Sequence, residues 1–212
     1  GLCVCNAVNP FRIEGQKSMI IEAAHQLGWT LPDWVVLPGG ALSNASALGK
    51  GLLEMKAIGL IDRVPRIAVV QAEGASPFHR MIASGGGELV PEPEPRTAAS
   101  AIRIGNPPSW RKAARVLRDC AGVTCAVSDE AIMAAKRVID RSGIGCEPAA
   151  AAGLAGLKKL AAEGTISRDE TALVVLTGHL LKDADAIRVP VPGPALEPLA
   201  PDELLARLAS VR

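Results

Sequence analysis

The sequence predicts an α/β fold, a parallel sheet with helices on both faces. Short and almost wholly apolar runs alternate with helical patterns along the chain, as in sheets whose strands are buried on both faces. The 212 residues are 49% hydrophobic, which is enough to bury a sizeable core in one large domain or two small ones. Several of the strand-like runs end in small or polar residues, where ligands of open α/β sheets collect.

Taken in order, a first amphipathic helix is expected over 18–27, stopped by Gly28. An extended segment at 33–37 contains the short buried strand Trp34-Val-Val-Leu37, and a helix over 45–58 follows before Gly59. Arg66-Ile-Ala-Val-Val-Gln71 is a second buried strand, after which Gly74, Ser76 and Pro77 open another helix. Gly85-Gly-Gly87 and Pro91-Glu-Pro-Glu-Pro95 are too flexible and too proline-rich for a regular element and read as a surface crossing. Beyond it come a helix over 109–119, a strand over 122–127, and a helix over 128–141 capped by Ser128, with Asp129 and Glu130 in its first turn. An alanine-rich helix over 149–162 precedes a strongly apolar strand over 171–176. Pro190, Pro192, Pro194, Pro198 and Pro201 mark an extended tail before a short terminal helix at about 202–209.

Composition narrows the function classes. A net charge of +1, with basic residues spread along the chain, gives no support to nucleic-acid binding, and stacking platforms are scarce with no Tyr, two Phe and three Trp. No apolar run approaches a membrane span and the amino terminus lacks the pattern of a signal peptide, so a soluble, cytoplasmic protein is expected. Cys3, Cys5, Cys120, Cys125 and Cys146 have no Cys-x-x-Cys spacing and read as reduced, mostly buried thiols. His25, His79 and His179 are far apart, so no metal site is expected. Gly1-Leu-Cys-Val-Cys5 begins as if inside a strand and without a methionine. A processed product, an excised segment or the end of an incompletely read gene is therefore expected, with an unpaired sheet edge that favours aggregation. A homodimer is one assembly compatible with the chain, whose oligomeric state the residues leave open.

The most informative stretch is Leu37-Pro-Gly-Gly-Ala-Leu-Ser-Asn-Ala-Ser46, placed between a strand and a helix. Gly39 and Gly40 allow a tight turn with close backbone approach, and Ser43 or Asn44 can cap the helix that follows. Backbone N–H groups in such a strand, loop and helix start bind phosphate without a charged side chain. The same pattern also serves as an ordinary turn. Residues 71–76 and 177–183 follow other strands and can reach the same edge of the sheet, although for Gln71 alone a plain turn is the better reading.

Five motifs then occur in order: Asn9-Pro-Phe-Arg-Ile-Glu-Gly-Gln-Lys17, the 38–46 loop, Ala101-Ile-Arg-Ile-Gly-Asn-Pro107, Glu147-Pro-Ala149, and Thr177-Gly-His179 with Leu181-Lys-Asp183. In words, order and spacing they resemble the threonine synthase family, from about residue 6 to 185. The resemblance implies a fold-type-II pyridoxal 5'-phosphate enzyme, similar to the tryptophan synthase β fold, that converts O-phosphohomoserine and water into threonine and phosphate. It implies that Gly39, Gly40, Ala41, Leu42, Ser43 and Asn44 cradle the cofactor phosphate, that Thr177 bonds the pyridine nitrogen, and that Glu147 lies beside the cofactor ring. Asn6 and Arg12 match the residues that hold the substrate phosphate, a role suited to the arginine fork.

The departures from the family pattern are specific. Ala41 and Ser43 replace an asparagine and a glycine of the phosphate loop, and a left-handed backbone at Ser43 would cost roughly 1 kcal/mol or more. Ala7 and Ala150 stand in place of serines, and Leu180 in place of a glycine. No lysine of this chain lies in the Ser-Phe-Lys-Asp-type motif that carries the family's Schiff base; its lysines match other family elements or helix surfaces. The chain is accordingly expected to be about the carboxy-terminal half of such an enzyme, inactive alone, with 1–189 in the catalytic domain and 190–212 as tail. Two other readings stay open: a threonine or serine dehydratase of the same fold, and a non-catalytic homologue serving as a binding module.

Overall fold

In the computed structural model the described residues are 6, 7, 9–183, 200, 202, 203 and 209. Among the described residues, apolar, β-branched segments form four strands, β1 (Trp34–Pro38), β2 (Arg66–Ala72), β3 (Val123–Val127) and β4 (Ala172–Val174). They pair in the order β3-β2-β1-β4, every neighbour parallel, with Val36 opposite both Ala68 and Val174. The connections are helical: α1 (Pro10–Gln16), α2 (Ser18–Gln26), α3 (Ser43–Ala57), α4 (Pro77–Ala83), α5 (Trp110–Asp119), α6 (Asp129–Arg141) and α7 (Pro148–Ala162).

Strand periodicity divides the interior into two cores. Val35, Leu37, Ile67 and Val69 point to one face and pack with Ile20, Leu48, Leu52, Phe78 and Val116, under α2, α3, α4 and α5. Trp34, Val36, Ala68 and Val70 point to the other and pack with Ile132, Ala135, Ala151 and Ala155, under α6 and α7. Both faces of the sheet are thus covered, as parallel strands require. At the amino ends of the strands, the Trp34 indole N–H donates to Glu170 Oε2 at 3.1 Å, while Arg66 lies 4.1 Å over the same ring and pairs with Glu170.

The expected elements are present, with corrections at their ends. Residues 10–16 form a helix that the sequence pattern does not announce; the Asn9 side chain caps it and Pro10 occupies its first turn. The helix expected from residue 45 begins at Ser43, so neither Ser43 nor Asn44 is its cap; Leu42 is, without a side-chain bond. The last strand is shorter than expected, because pairing with β1 ends at Val174. Ser128 caps α6 as expected, accepting from the Ala131 N–H. Gly85, Gly86 and Gly87 all adopt positive φ on the surface, but the crossing that follows is strapped down. Leu89, Thr97 and Ile102 are buried, and Asp129 accepts from the Thr97 hydroxyl at 2.5 Å and the Ala98 N–H at 2.8 Å.

Lys136 corrects the expectation of surface lysines: it is 3% exposed and paired with Asp140 at 2.6 Å. Cys120, Cys125 and Cys146 are free and buried, and burial pushes the first two thiols up to about 11. The strand expected at 1–5, with Cys3 and Cys5, lies outside the described residues, as does most of the proline-rich tail with its terminal helix. No helix is long and apolar enough to cross a membrane, and no metal-binding group of side chains occurs among the described residues.

Candidate active site

Beyond the carboxyl end of β1 the chain encloses a cleft of about 490 Å³. Gly40, Ala41, Leu42, Ser43 and Asn44 form one wall, Glu147 and Thr177 another, and Arg12 and Gln16 of α1 reach in from the side. Segments far apart in the chain therefore meet where a parallel sheet collects ligands. Two expected residues do not line it. Gly39 lies behind the loop, where a Cβ would meet Val69 Cγ1 at 2.6 Å. Asn6 turns back on its own segment, its side chain accepting from the Ala7 N–H at 2.8 Å.

The loop has the carbonyls of Gly39, Ala41 and Leu42 engaged from behind, while its N–H groups lack partners among the described residues. Gly39 N–H continues the sheet ladder to Val70 O at 2.7 Å, and the buried Gln71 amide donates to Gly39 O at 3.0 Å. Gln71 in turn accepts from the His79 N–H at 2.9 Å, and the His79 ring bonds the Thr124 hydroxyl; burial lowers the pKa of that imidazole. Ala41 O accepts from Ser109 N–H, and Leu42 O from the Ser46 hydroxyl. Among the described residues nothing accepts from the N–H groups of Gly40 through Ala45, the last three being the free donors of a helix start. A Cβ at Gly40 would lie 2.9 Å from Ala101 O, so that position has no room for a side chain. The left-handed residue of the loop is Leu42, at φ +64, and not Ser43, which is already helical.

Across the cleft, Glu147 is 3% exposed at the start of α7. Its N–H donates to Gly178 O at 3.0 Å, and Lys182 Nζ stands 3.3 Å from both carboxylate oxygens. Thr177 is exposed at the cleft, with no hydrogen-bond partner among the described residues. Gln71, read from the sequence as a plain turn, instead carries the loop, while Lys182, which adds a cation to the cleft, and Gln16, which joins α1 to Asn44, are not singled out by the sequence. Gln16 and Lys182 lie inside quoted motifs, so the motifs mark them although their pairing does not follow from spacing.

A donor-lined loop at a helix start, a buried carboxylate and two cations meet in one cleft of a parallel α/β protein, a donor set suited to an anionic small molecule. Residues 1–178 match the pyridoxal-phosphate dependent enzyme family, and the chain belongs to it. The chain is 46% identical over 183 residues to threonine synthase of Methanosarcina acetivorans, covering 86% of itself and 45% of that protein. Among solved structures it is similar to a threonine deaminase of T.th., with a TM-score of 0.65, 25% identity and coverage of 80% of this chain and 54% of that one. It is also similar to threonine synthase of Escherichia coli, with a TM-score of 0.66, 20% identity and coverage of 98% and 51%. The fold is therefore that of the fold-type-II enzymes, and the chain spans about half the length of the relatives it matches. The unpartnered N–H groups and the side-chain-free approach at Gly40 fit the phosphate of the family's cofactor.

Proposed function

We propose that this chain contributes the phosphate-binding side of a threonine synthase, which converts O-phosphohomoserine and water into threonine and phosphate in amino-acid biosynthesis. The supporting observation is that one cleft holds two distinct sets of anion-binding groups, the N–H groups of the 40–45 loop and the Arg12 guanidinium. A phosphorylated cofactor and a phosphorylated substrate need one set each. A dehydratase acting on an unphosphorylated amino acid needs only the first.

In this reading the loop holds the cofactor phosphate through backbone donors in a segment already fixed at the carbonyls of Gly39, Ala41 and Leu42, so little reorganisation accompanies binding. The Thr177 hydroxyl would serve as a neutral hydrogen-bond partner for the cofactor's pyridine nitrogen. Bound pyridoxal phosphate supplies the electron sink for proton removal beside the amino group. Arg12 draws the substrate phosphate to the α1 side, and Asn6 joins it only if the segment before α1 turns inward. Glu147 and Lys182 bracket the remaining wall with a compensated charge pair. The substitutions at Ala7, Ala41 and Ala150 remove polar groups and weaken phosphate affinity relative to family members. Cytoplasmic location and assembly as a homodimer belong to the same proposal.

The test is binding to the chain itself, compared between pyridoxal phosphate and pyridoxal, then between O-phosphohomoserine and homoserine. The phosphorylated member of each pair is expected to bind tighter by at least about tenfold, and Arg12→Ala to abolish only the second preference, in keeping with the strength of charged hydrogen bonds. Threonine binding as tightly as O-phosphohomoserine favours the dehydratase reading.

A further inference from the structure

Gln16 closes α1 one turn beyond Arg12, so both side chains leave the same face of the helix toward the cleft. Its Nε2 donates to Oδ1 of Asn44 at 2.8 Å, across 28 positions of sequence. With its oxygen held from behind, Asn44 has only its amide nitrogen left to present, and no group among the described residues accepts from it. That nitrogen is a donor beside the N–H groups of the loop. Turned over, the same side chain would aim a carbonyl oxygen at any anion there.

The other end of Gln16 is shut away from solvent. Its Oε1 is buried and accepts no hydrogen bond, the one side-chain atom in that state among the described residues. A sealed acceptor without a donor is costly, and an apolar side chain at this place would avoid the cost. The polar amide therefore has its use at the nitrogen end, on Asn44. We propose that Gln16 is a positioning residue of the phosphate loop, which holds the Asn44 amide with its N–H₂ toward the bound phosphate and so joins that loop to the helix bearing Arg12. The inference rests on the reading of residues 40–45 as a phosphate cradle. Gln16 joins the loop and the helix bearing Arg12 by a side-chain bond.

The test is a double-mutant cycle on the whole chain, with affinity for pyridoxal phosphate and for pyridoxal as the readouts. Gln16→Met and Asn44→Ala are each expected to weaken pyridoxal phosphate by about five- to tenfold, the range for one hydrogen bond, and to leave pyridoxal unchanged. The double variant is expected to bind as Asn44→Ala does, because Gln16 acts only through Asn44. Gln16→Glu keeps the volume but offers no N–H, forces Asn44 to turn, and should weaken pyridoxal phosphate further than Gln16→Met; it also serves if Gln16→Met folds poorly. Additive losses, equal losses for the two ligands, or no loss in Gln16→Met overturn the inference while the phosphate cradle stands. If the unaltered chain does not prefer pyridoxal phosphate to pyridoxal, the cradle itself is wrong and the inference goes with it.

Discussion

Gly178 lies so close to Glu147 that a Cβ built on it would stand 2.1 Å from the carboxylate Oε1. The same residue accepts the Glu147 N–H at its carbonyl, so backbone and side chain of Glu147 are both set by the segment after β4. Gly178→Ala must push Glu147 into the cleft or lift Thr177 out of it. A loss of about 1–3 kcal/mol of stability is expected, as for other overpacked sites, together with weaker cofactor binding. Urea melts and ligand titration measure both; an unchanged pair of values contradicts the contact.

Ser43→Gly is expected to lower stability by about 0.5 kcal/mol, since glycine is a poorer helix former than serine and Ser43 opens α3. The loop sequence alone suggests the opposite sign, since a left-handed Ser43 would be relieved by glycine. Leu42 carries the positive φ instead, and its side chain is 2% exposed in the core. A rise in the melting temperature of Ser43→Gly would return the left-handed residue to position 43.

Asp33 accepts from the Thr171 N–H and hydroxyl, each at 2.8 Å, and pairs with Arg63 at 2.8 Å. The Thr171 bonds foremost hold its pKa at about 2, below the ordinary 3.8. A carboxyl depressed in the folded state adds stability that is present above its unfolded value and lost as pH falls toward 2. Denaturant midpoints should therefore drop between pH 4 and pH 2, and drop less in Asp33→Asn. Glu14, held at about 2 by Lys17 and Lys50, keeps part of the slope in that variant. Equal slopes would show that Thr171 does not favour the charged form.

Asp140 holds the buried Lys136 ammonium at 2.6 Å and also accepts the Cys146 N–H at 3.3 Å, next to Glu147. Asp140→Ala leaves a charge without its partner and is expected to cost about 3 kcal/mol. Lys136→Met should cost less, and the double variant should recover part of the loss. Thermal melts of the three variants decide it, and an Asp140→Ala protein as stable as Lys136→Met removes the argument.

Local chemistry explains what can be read in advance. The four strands are apolar runs, Ser128 caps its helix through its own hydroxyl, and the 38–46 loop advertises close backbone approach by its glycines. Those properties depend on neighbours within a few residues. The α1 helix escapes such a reading because its single buried residue, Ile13, leaves no apolar stripe to see. Gln71 reads as a turn residue because nothing nearby shows that its side chain reaches Gly39, a partner brought in only by strand pairing.

The sequence by itself determined the class of fold, the order of its strands and the strand-loop-helix segment that walls the cleft, because patterning and backbone permissiveness are local properties. Tertiary structure alone decided that Leu42 bears the left-handed turn, that Gly39 and Asn6 stand outside the cleft, and that Lys182 meets Glu147 and Gln16 meets Asn44. Those outcomes depend on parallel pairing that juxtaposes residues many positions apart, and on packing that leaves some backbone positions no other conformation.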